Sequence, residues 1–121
     1  MKISVITATY NAMQYLPALV ESLRGQTDKD FEWVVADGAS TDGTVEYLKS
    51  ITDLNVKVIS QEDFGIYDAL NRGIKACSGE FYLVMGADDI LYPDAVSSIK
   101  KELYNSKAMI FLYSLYSILI D

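Results

Sequence analysis

The stretch KISVITATYNA (Lys2–Ala12) carries the reading of the fold. Its first seven residues are rich in β-branched and apolar side chains and read as a buried strand. Ser4, Thr7 and Thr9 interrupt the apolar run, so it does not read as a secretory leader. Thr9-Tyr10-Asn11-Ala12 then forms a polar turn. Beyond it Leu16, Leu19, Val20 and Leu23 fall at i, i+3, i+4 and i+7, one face of a helix with Pro17 in its first turn and Gly25 at its stop.

The same unit recurs along the chain. Phe31–Ala36 is a second apolar run, ending at Asp37-Gly-Ala-Ser-Thr-Asp-Gly-Thr44, a segment dense in turn formers and helix caps. Val45–Ile51 continues as a short helix, Val56–Ile59 is a third strand, and Gln61–Gly65 is a loop. Ile66–Cys77 has Ile66, Leu70, Ile74 and Cys77 on one face and reads as a helix. Gly79 stops it, and Glu80–Met85 is a fourth strand followed by Gly86-Ala87-Asp88-Asp89. Pro93 opens a helix ending near Asn105, and Met109–Ile120 reads as a last buried strand.

Strands alternating with helices predict an α/β domain spanning residues 1–121, a mostly parallel sheet flanked by helices. Right-handed crossovers follow from chain chirality. In such sheets ligands bind outside the carboxyl ends of the strands. Four strand ends carry polar groups there: Thr9-Tyr10-Asn11, Asp37, Gln61–Gly65 and Asp88-Asp89. Their convergence on one crevice predicts a binding site.

Composition narrows the chemistry. The 121 residues carry a formal net charge of −7 and no histidine. An acidic chain is poorly suited to nucleic acid but can bind an anionic ligand through a divalent cation. Without histidine, Ser-His, Cys-His and His-ligated zinc chemistry are excluded, leaving Asp and Glu for acid–base or metal work. The one cysteine, Cys77, cannot form an intrachain disulfide, which fits a reducing compartment, and it reads as a small buried helix residue rather than a nucleophile. Met109–Ile120 is shorter than the roughly 20 residues that span a bilayer. There is no G-x-G-x-x-G, P-loop or G-x-S-x-G sequence.

Each candidate residue has a plain reading beside the functional one. Asp88 and Asp89 suit Mg²⁺ or Mn²⁺, hard cations that prefer oxygen and keep waters for phosphate to replace, or they cap the turn before Pro93. Asp37 accepts from a nucleobase N–H or a ribose hydroxyl, or shapes an Asp-Gly turn. Tyr10 stacks on a base or packs at a strand end. Asp68 and Arg72, at i and i+4, form a helix ion pair, or Arg72 meets an anionic substrate.

The ordered segments ISVITATYN (Ile3–Asn11), SLRGQT (Ser22–Thr27), DGASTDGT (Asp37–Thr44), DFGIYDALNRG (Asp63–Gly73) and GEFYLVMGADD (Gly79–Asp89) resemble the opening of family 2 glycosyltransferases. The GIYDA segment is similar to enzymes of bacterial surface-polysaccharide synthesis. The resemblance implies a Rossmann-like GT-A nucleotide-sugar-binding domain. It places Tyr10 and Asp37 at the nucleobase with Thr9 close by, and Asp68 and Arg72 near ribose and phosphates. The family often shows Asp-x-Asp where this chain has Gly86-Ala87-Asp88-Asp89, so metal binding would rest on Asp89, with Asp88 on ribose or a metal water. The cofactor implied is Mn²⁺ or Mg²⁺, the donor a nucleotide-diphosphate sugar (UDP by family habit), and the acceptor a saccharide or a lipid-linked one. The reaction implied is direct displacement with inversion. The setting implied is cytoplasmic or peripheral at the inner membrane.

Family members continue well past the metal motif, and their later half carries the acceptor site and general base. No carboxylate follows Glu102 here except Asp121, so no base is named, and the acceptor-binding half is expected to be missing. The alternative is a non-catalytic nucleotide-sugar-binding module or an inactive fragment. A nucleotidyltransferase would need a Gly-rich, basic loop where Thr9–Met13 stands. An exposed Met109–Ile120 strand would offer an edge for a homodimer or a membrane contact.

Overall fold

A computed structural model of the chain describes residues 2–105. Strands β1 (Ile3–Thr9), β2 (Phe31–Asp37), β3 (Val56–Ser60) and β4 (Phe81–Val84) alternate with helices α1 (Leu16–Arg24), α2 (Thr44–Lys49), α3 (Ile66–Ala76) and α4 (Ala95–Asn105). The strands form one sheet in the order β3-β2-β1-β4, and every pairing is parallel. The expected α/β class with a parallel sheet is therefore the observed one. The expected strand over Met109–Ile120 lies outside the described residues.

The two central strands explain why the sequence shows continuous apolar runs there. β2 is buried at all seven positions and β1 at six of seven, as strands covered on both faces must be. On one face Ile3, Val5, Phe31, Trp33 and Val35 meet Leu16, Leu19, Val20 and Leu23 of α1, Leu48 of α2, and Ala95, Val96 and Ile99 of α4. Trp33 is wholly buried and its indole N–H donates to Thr7 Oγ1 at 3.0 Å, so the large ring carries no unpaired polar atom. Gln26, also buried, joins α1 to α4: its amide donates to the Ser22 and Tyr92 carbonyls and its oxygen accepts from the Val96 N–H.

The opposite face is covered by α3, and the apolar stripe read from the sequence is not the part of the helix that packs deepest. Ala69 and Gly73 are its buried residues, while Ile66 is 61% exposed and Leu70, Ile74 and Cys77 are only half-buried. The cause is close approach. A Cβ on Gly73 would stand 2.7 Å from Ile6 Cγ2 and 3.7 Å from Ala36 Cβ, so only small residues fit between this helix and the sheet. The bulky stripe is displaced to the flank. The fourth helix likewise starts at Ala95 rather than at Pro93, whose carbonyl instead accepts from the Thr27 N–H at 2.9 Å.

A buried carboxylate closes the amino-terminal end of the sheet. Glu32 Oε2 accepts from the hydroxyls of Ser4 (2.5 Å) and Ser78 (2.9 Å) and from the Ser78 N–H. Burial pushes this carboxyl up, but those hydrogen bonds outweigh it and hold the group below its ordinary range.

The tight seat of α3 gives a direct test. Gly73→Ala should gain helix propensity yet lose stability overall, because the added methyl meets a buried, immobile Ile6. A net loss on the order of 1–2 kcal/mol is expected from overpacking, read as a lower urea midpoint with an unchanged slope. A stabilised variant would show that the helix can lift off the sheet freely.

Candidate nucleotide-binding site

All four strands run the same way, so their carboxyl ends lie together. The most fully hydrogen-bonded carboxylate there is Asp37, the last residue of β2 and 0% exposed. Its Oδ1 accepts from Thr9 Oγ1 at 2.7 Å and Ser40 Oγ at 2.5 Å, and its Oδ2 from the Ser40 N–H at 2.8 Å and Ser60 Oγ at 2.9 Å. These donors come from the ends of β1 and β3 and from the turn after β2. Burial pushes the Asp37 carboxyl up, and the bonds from Ser40, Thr9 and Ser60 together overcome it, keeping the group below the usual carboxylate range. With four internal donors its acceptor capacity is filled, so a ligand N–H reaches it only by displacing one of them.

The two loops in front of Asp37 are laced together. The Asn11 N–H donates to Ser40 Oγ, and Asn11 Oδ1 accepts from the Thr41 N–H, each at 2.8 Å. Asp42 Oδ2 accepts from the Met13 N–H, Asp42 Oδ1 from Thr44 Oγ1, and Thr44 Oγ1 from the Ala12 N–H. Two non-glycine residues in this lacing have left-handed backbones, Asn11 at φ 48° and Ala39 at φ 61°. Asparagine tolerates that region, whereas alanine is strained there.

Tyr10 stands above this frame, 68% exposed, and two clefts meet at it. One, of about 270 Å³, is lined by Thr9, Tyr10, Asp63, Gly65, Ile66 and Ala69, with Ala8. The other, of about 390 Å³, is lined by Tyr10, Gly38, Ala39, Glu62 and Asp63. Asp63 is common to both. Its Oδ1 accepts from the Gly65 N–H at 3.0 Å, and its Oδ2 lies where a Cβ on Gly38 would come within 2.5 Å. Sequence reasoning placed Glu62 and Asp63 in a strand-end loop but did not single them out. Their position after β3 was the available signal.

The remaining expected residues sit apart from these clefts. Asp68 and Arg72 form a 2.9 Å ion pair on α3, and Asp68 Oδ2 also accepts from the Phe64 N–H. Gln61 Oε1, oriented toward the guanidinium, lies 3.0 Å from both Nε and Nη2 of Arg72. Arg72 Nη1 is buried with no partner among the described residues, a donor left unspent. Asp88 is exposed. Asp89 is half-buried, and its Oδ2 accepts from the Gly86 N–H at 2.7 Å. Among the described residues no group of three metal-ligating side chains occurs. Two neighbouring carboxylates still fit Mg²⁺ or Mn²⁺, which binds through one or two carboxylates, waters and substrate phosphates. Among the described residues, Asp89 Oδ1 and the Asp88 carboxylate accept no hydrogen bond, which leaves them for that purpose.

Residues 4–121 match the family model for glycosyl transferase family 2. The chain belongs to this family. A PGL/p-HBAD biosynthesis glycosyltransferase of Mycobacterium tuberculosis is 41% identical over 92 residues, which cover 74% of this chain and 36% of the relative. The chain thus spans about a third of that family 2 relative's length. Among solved structures, S. aureus TarS 1-349 in complex with UDP-GlcNAc superposes with a TM-score of 0.82 at 32% identity, covering 87% of this chain and 32% of TarS. The mannosyltransferase PcManGT of Pyrobaculum calidifontis, solved with GDP-Man and Mn²⁺, gives 0.72 at 27% identity, covering 82% of this chain and 31% of that one. The fold is thereby that of GT-A glycosyltransferases. No described helix is long and apolar enough to cross a membrane.

Asp37 offers the sharpest test of this frame. In Asp37→Asn the amide oxygen keeps the Ser40 N–H and the Ser60 hydroxyl, while the N–H₂ replaces the oxygen that accepts from Thr9 and Ser40, and a loss of about 1–3 kcal/mol at pH 7 follows from the lost charge-assisted bonds. The sign of the pH effect is set by a lowered folded pKa. The carboxylate's contribution is complete above the unfolded value of about 3.9 and is lost as pH falls through the folded one. Urea titrations at neutral pH and below pH ~4 should show the variant losing less stability on acidification than the parent chain.

Proposed function

We propose that the chain is the donor-binding part of an inverting glycosyltransferase that moves a sugar from a nucleoside-diphosphate sugar to an acceptor hydroxyl in polysaccharide or glycolipid synthesis. The observation that carries this reading is the meeting of Tyr10, the loop after β2 and the loop after β3 around two adjoining clefts, with Asp88 and Asp89 at the end of the neighbouring β4. It is supported by family membership and by the nucleotide sugars held in the TarS and PcManGT structures.

Each residue then has a task. Tyr10 presents an exposed face on which a base stacks. Thr9 and Asp37 shape the floor beneath it. Arg72, aimed by Asp68 and Gln61, brings positive charge to the side where ribose and phosphates lie. Asp88 and Asp89 hold the divalent cation, which when bound neutralises charge on the departing diphosphate. In the reaction the acceptor oxygen bonds to the anomeric carbon on the face opposite the phosphate. The bond from that carbon to the phosphate oxygen breaks, and the acceptor proton passes to a carboxylate base. One in-line displacement inverts the anomeric centre. The work is placed on the cytoplasmic side, where nucleotide sugars are available, with a saccharide or lipid-linked acceptor.

The test is to incubate the chain with Mn²⁺ and a panel of nucleotide sugars, measuring both binding and release of nucleoside diphosphate with and without acceptors. Binding is expected in every case where the base fits. Binding without turnover under all acceptors would favour a non-catalytic module, and no binding at millimolar nucleotide would remove the donor-site reading. Asp89→Asn, which keeps an acceptor for the Gly86 N–H, should weaken Mn²⁺-dependent binding by about tenfold or more, the scale of one charge-assisted contact. Unchanged affinity in that variant would remove Asp89 from the cation site.

A further inference from the structure

We infer that the base recognised by this chain is guanine, and that Glu62 and Asp63 select it. The inference rests on the donor-site reading above and adds the base. The cleft between Tyr10 and the loops after β2 and β3 is lined by Tyr10, Gly38, Ala39, Glu62 and Asp63. Apart from the tyrosine hydroxyl, every side-chain polar atom in that lining belongs to a carboxylate. No lysine, arginine, amide or Ser/Thr hydroxyl among the described residues lines that cleft. Among the described residues, Asp63 Oδ2 and both Glu62 oxygens accept no hydrogen bond. Asp37, beneath, is already filled by four internal donors.

A wall of unspent acceptors must be met by donors. Ionised carboxylates accept only, and a planar pair of neighbouring N–H groups matches the two oxygens of one carboxylate. Guanine carries such a pair on its Watson–Crick edge, the ring N1–H and the exocyclic N2–H₂. Uracil carries one N–H flanked by two carbonyl oxygens, so a carboxylate that takes the N–H leaves both carbonyls facing further negative oxygen. Adenine and cytosine each offer a single amino group beside a ring acceptor. The bare backbone of Gly38 lets the Asp63 carboxylate close against it, the cleft of about 390 Å³ has room for a base, and the exposed Tyr10 ring offers a stacking face that any base accepts. Stacking therefore holds the base without choosing it, and the carboxylates make the choice. The family supplies both kinds of precedent, a TarS structure with UDP-GlcNAc and a PcManGT structure with GDP-Man.

The experiment is calorimetric titration of the chain with GDP, UDP, ADP and CDP at fixed Mg²⁺. GDP should bind about tenfold or more tightly than UDP, the lower end of what one added charge-assisted hydrogen bond contributes. Asp63→Asn retains an oxygen for the Gly65 N–H while placing a donor in the cleft. It should weaken GDP, strengthen UDP and bring their ratio close to one, and Glu62→Gln should move the ratio in the same direction. UDP binding as tightly as GDP to the parent chain would overturn the guanine assignment and leave the donor-site reading standing. A GDP preference untouched by both substitutions would overturn the role of Glu62 and Asp63. Absence of binding by all four nucleotides would overturn the assignment together with the donor-site reading.

Discussion

Three strand ends and one turn are tied to a single carboxylate. Asp37 terminates β2, takes hydrogen bonds from Thr9 on β1 and Ser60 on β3, and fixes the following turn through Ser40. A buried charge of this kind is tolerable only when its oxygens are fully paired, and removing one partner strands the others. The demand acts on the whole carboxyl edge of the sheet. The strands must finish level with one another, and the register Thr9↔Asp37↔Ser60 is that levelling. Glu32 imposes the same discipline at the other edge, where Ser4 and Ser78 meet it.

From that edge the crevice inherits its shape. Ser40 Oγ donates to Asp37 and accepts from the Asn11 N–H, so the loop after β1 is set by the same hydroxyl that satisfies the buried charge. The left-handed Ala39 is the cost of turning the chain there, and the surrounding bonds hold it in place. Beyond these loops, α3 carries Asp68 and Arg72 at a height above the sheet dictated by Ala69 and Gly73.

Much of this was legible in the amino-acid sequence, for identifiable reasons. Strands covered on both faces leave continuous apolar runs, and helices with one covered face leave a 3.6-residue period, so β1, α1 and β2 could be read directly. The α3 face could not. A helical wheel ranks positions by size, whereas close approach to a sheet rewards smallness, and Ala69 and Gly73 look unremarkable in a string. The clusters after β1, β2 and β3 were legible as the lining of the clefts because polar groups recurred at equivalent strand ends, whereas Asp88 and Asp89 stand apart from both. The saturation of Asp37 was not, because its partners Thr9 and Ser60 lie 28 and 23 residues away. Glu62 and Asp63 were visible only as loop residues, since their acidity acquires meaning once Tyr10 and Gly38 stand opposite them.

The lacing between the two loops bears on the thermodynamics of recognition. A segment that must be ordered by its ligand spends part of the interaction free energy on lost conformational freedom. Here Asn11, Ser40, Asp42 and Thr44 have already immobilised both loops through hydrogen bonds internal to the protein. The ordering entropy is met during folding, by the same cooperative transition that assembles the sheet. A ligand entering beside Tyr10 thus encounters a template rather than a flexible cover, and discrimination between ligands falls to the chemistry of the few groups left unpaired.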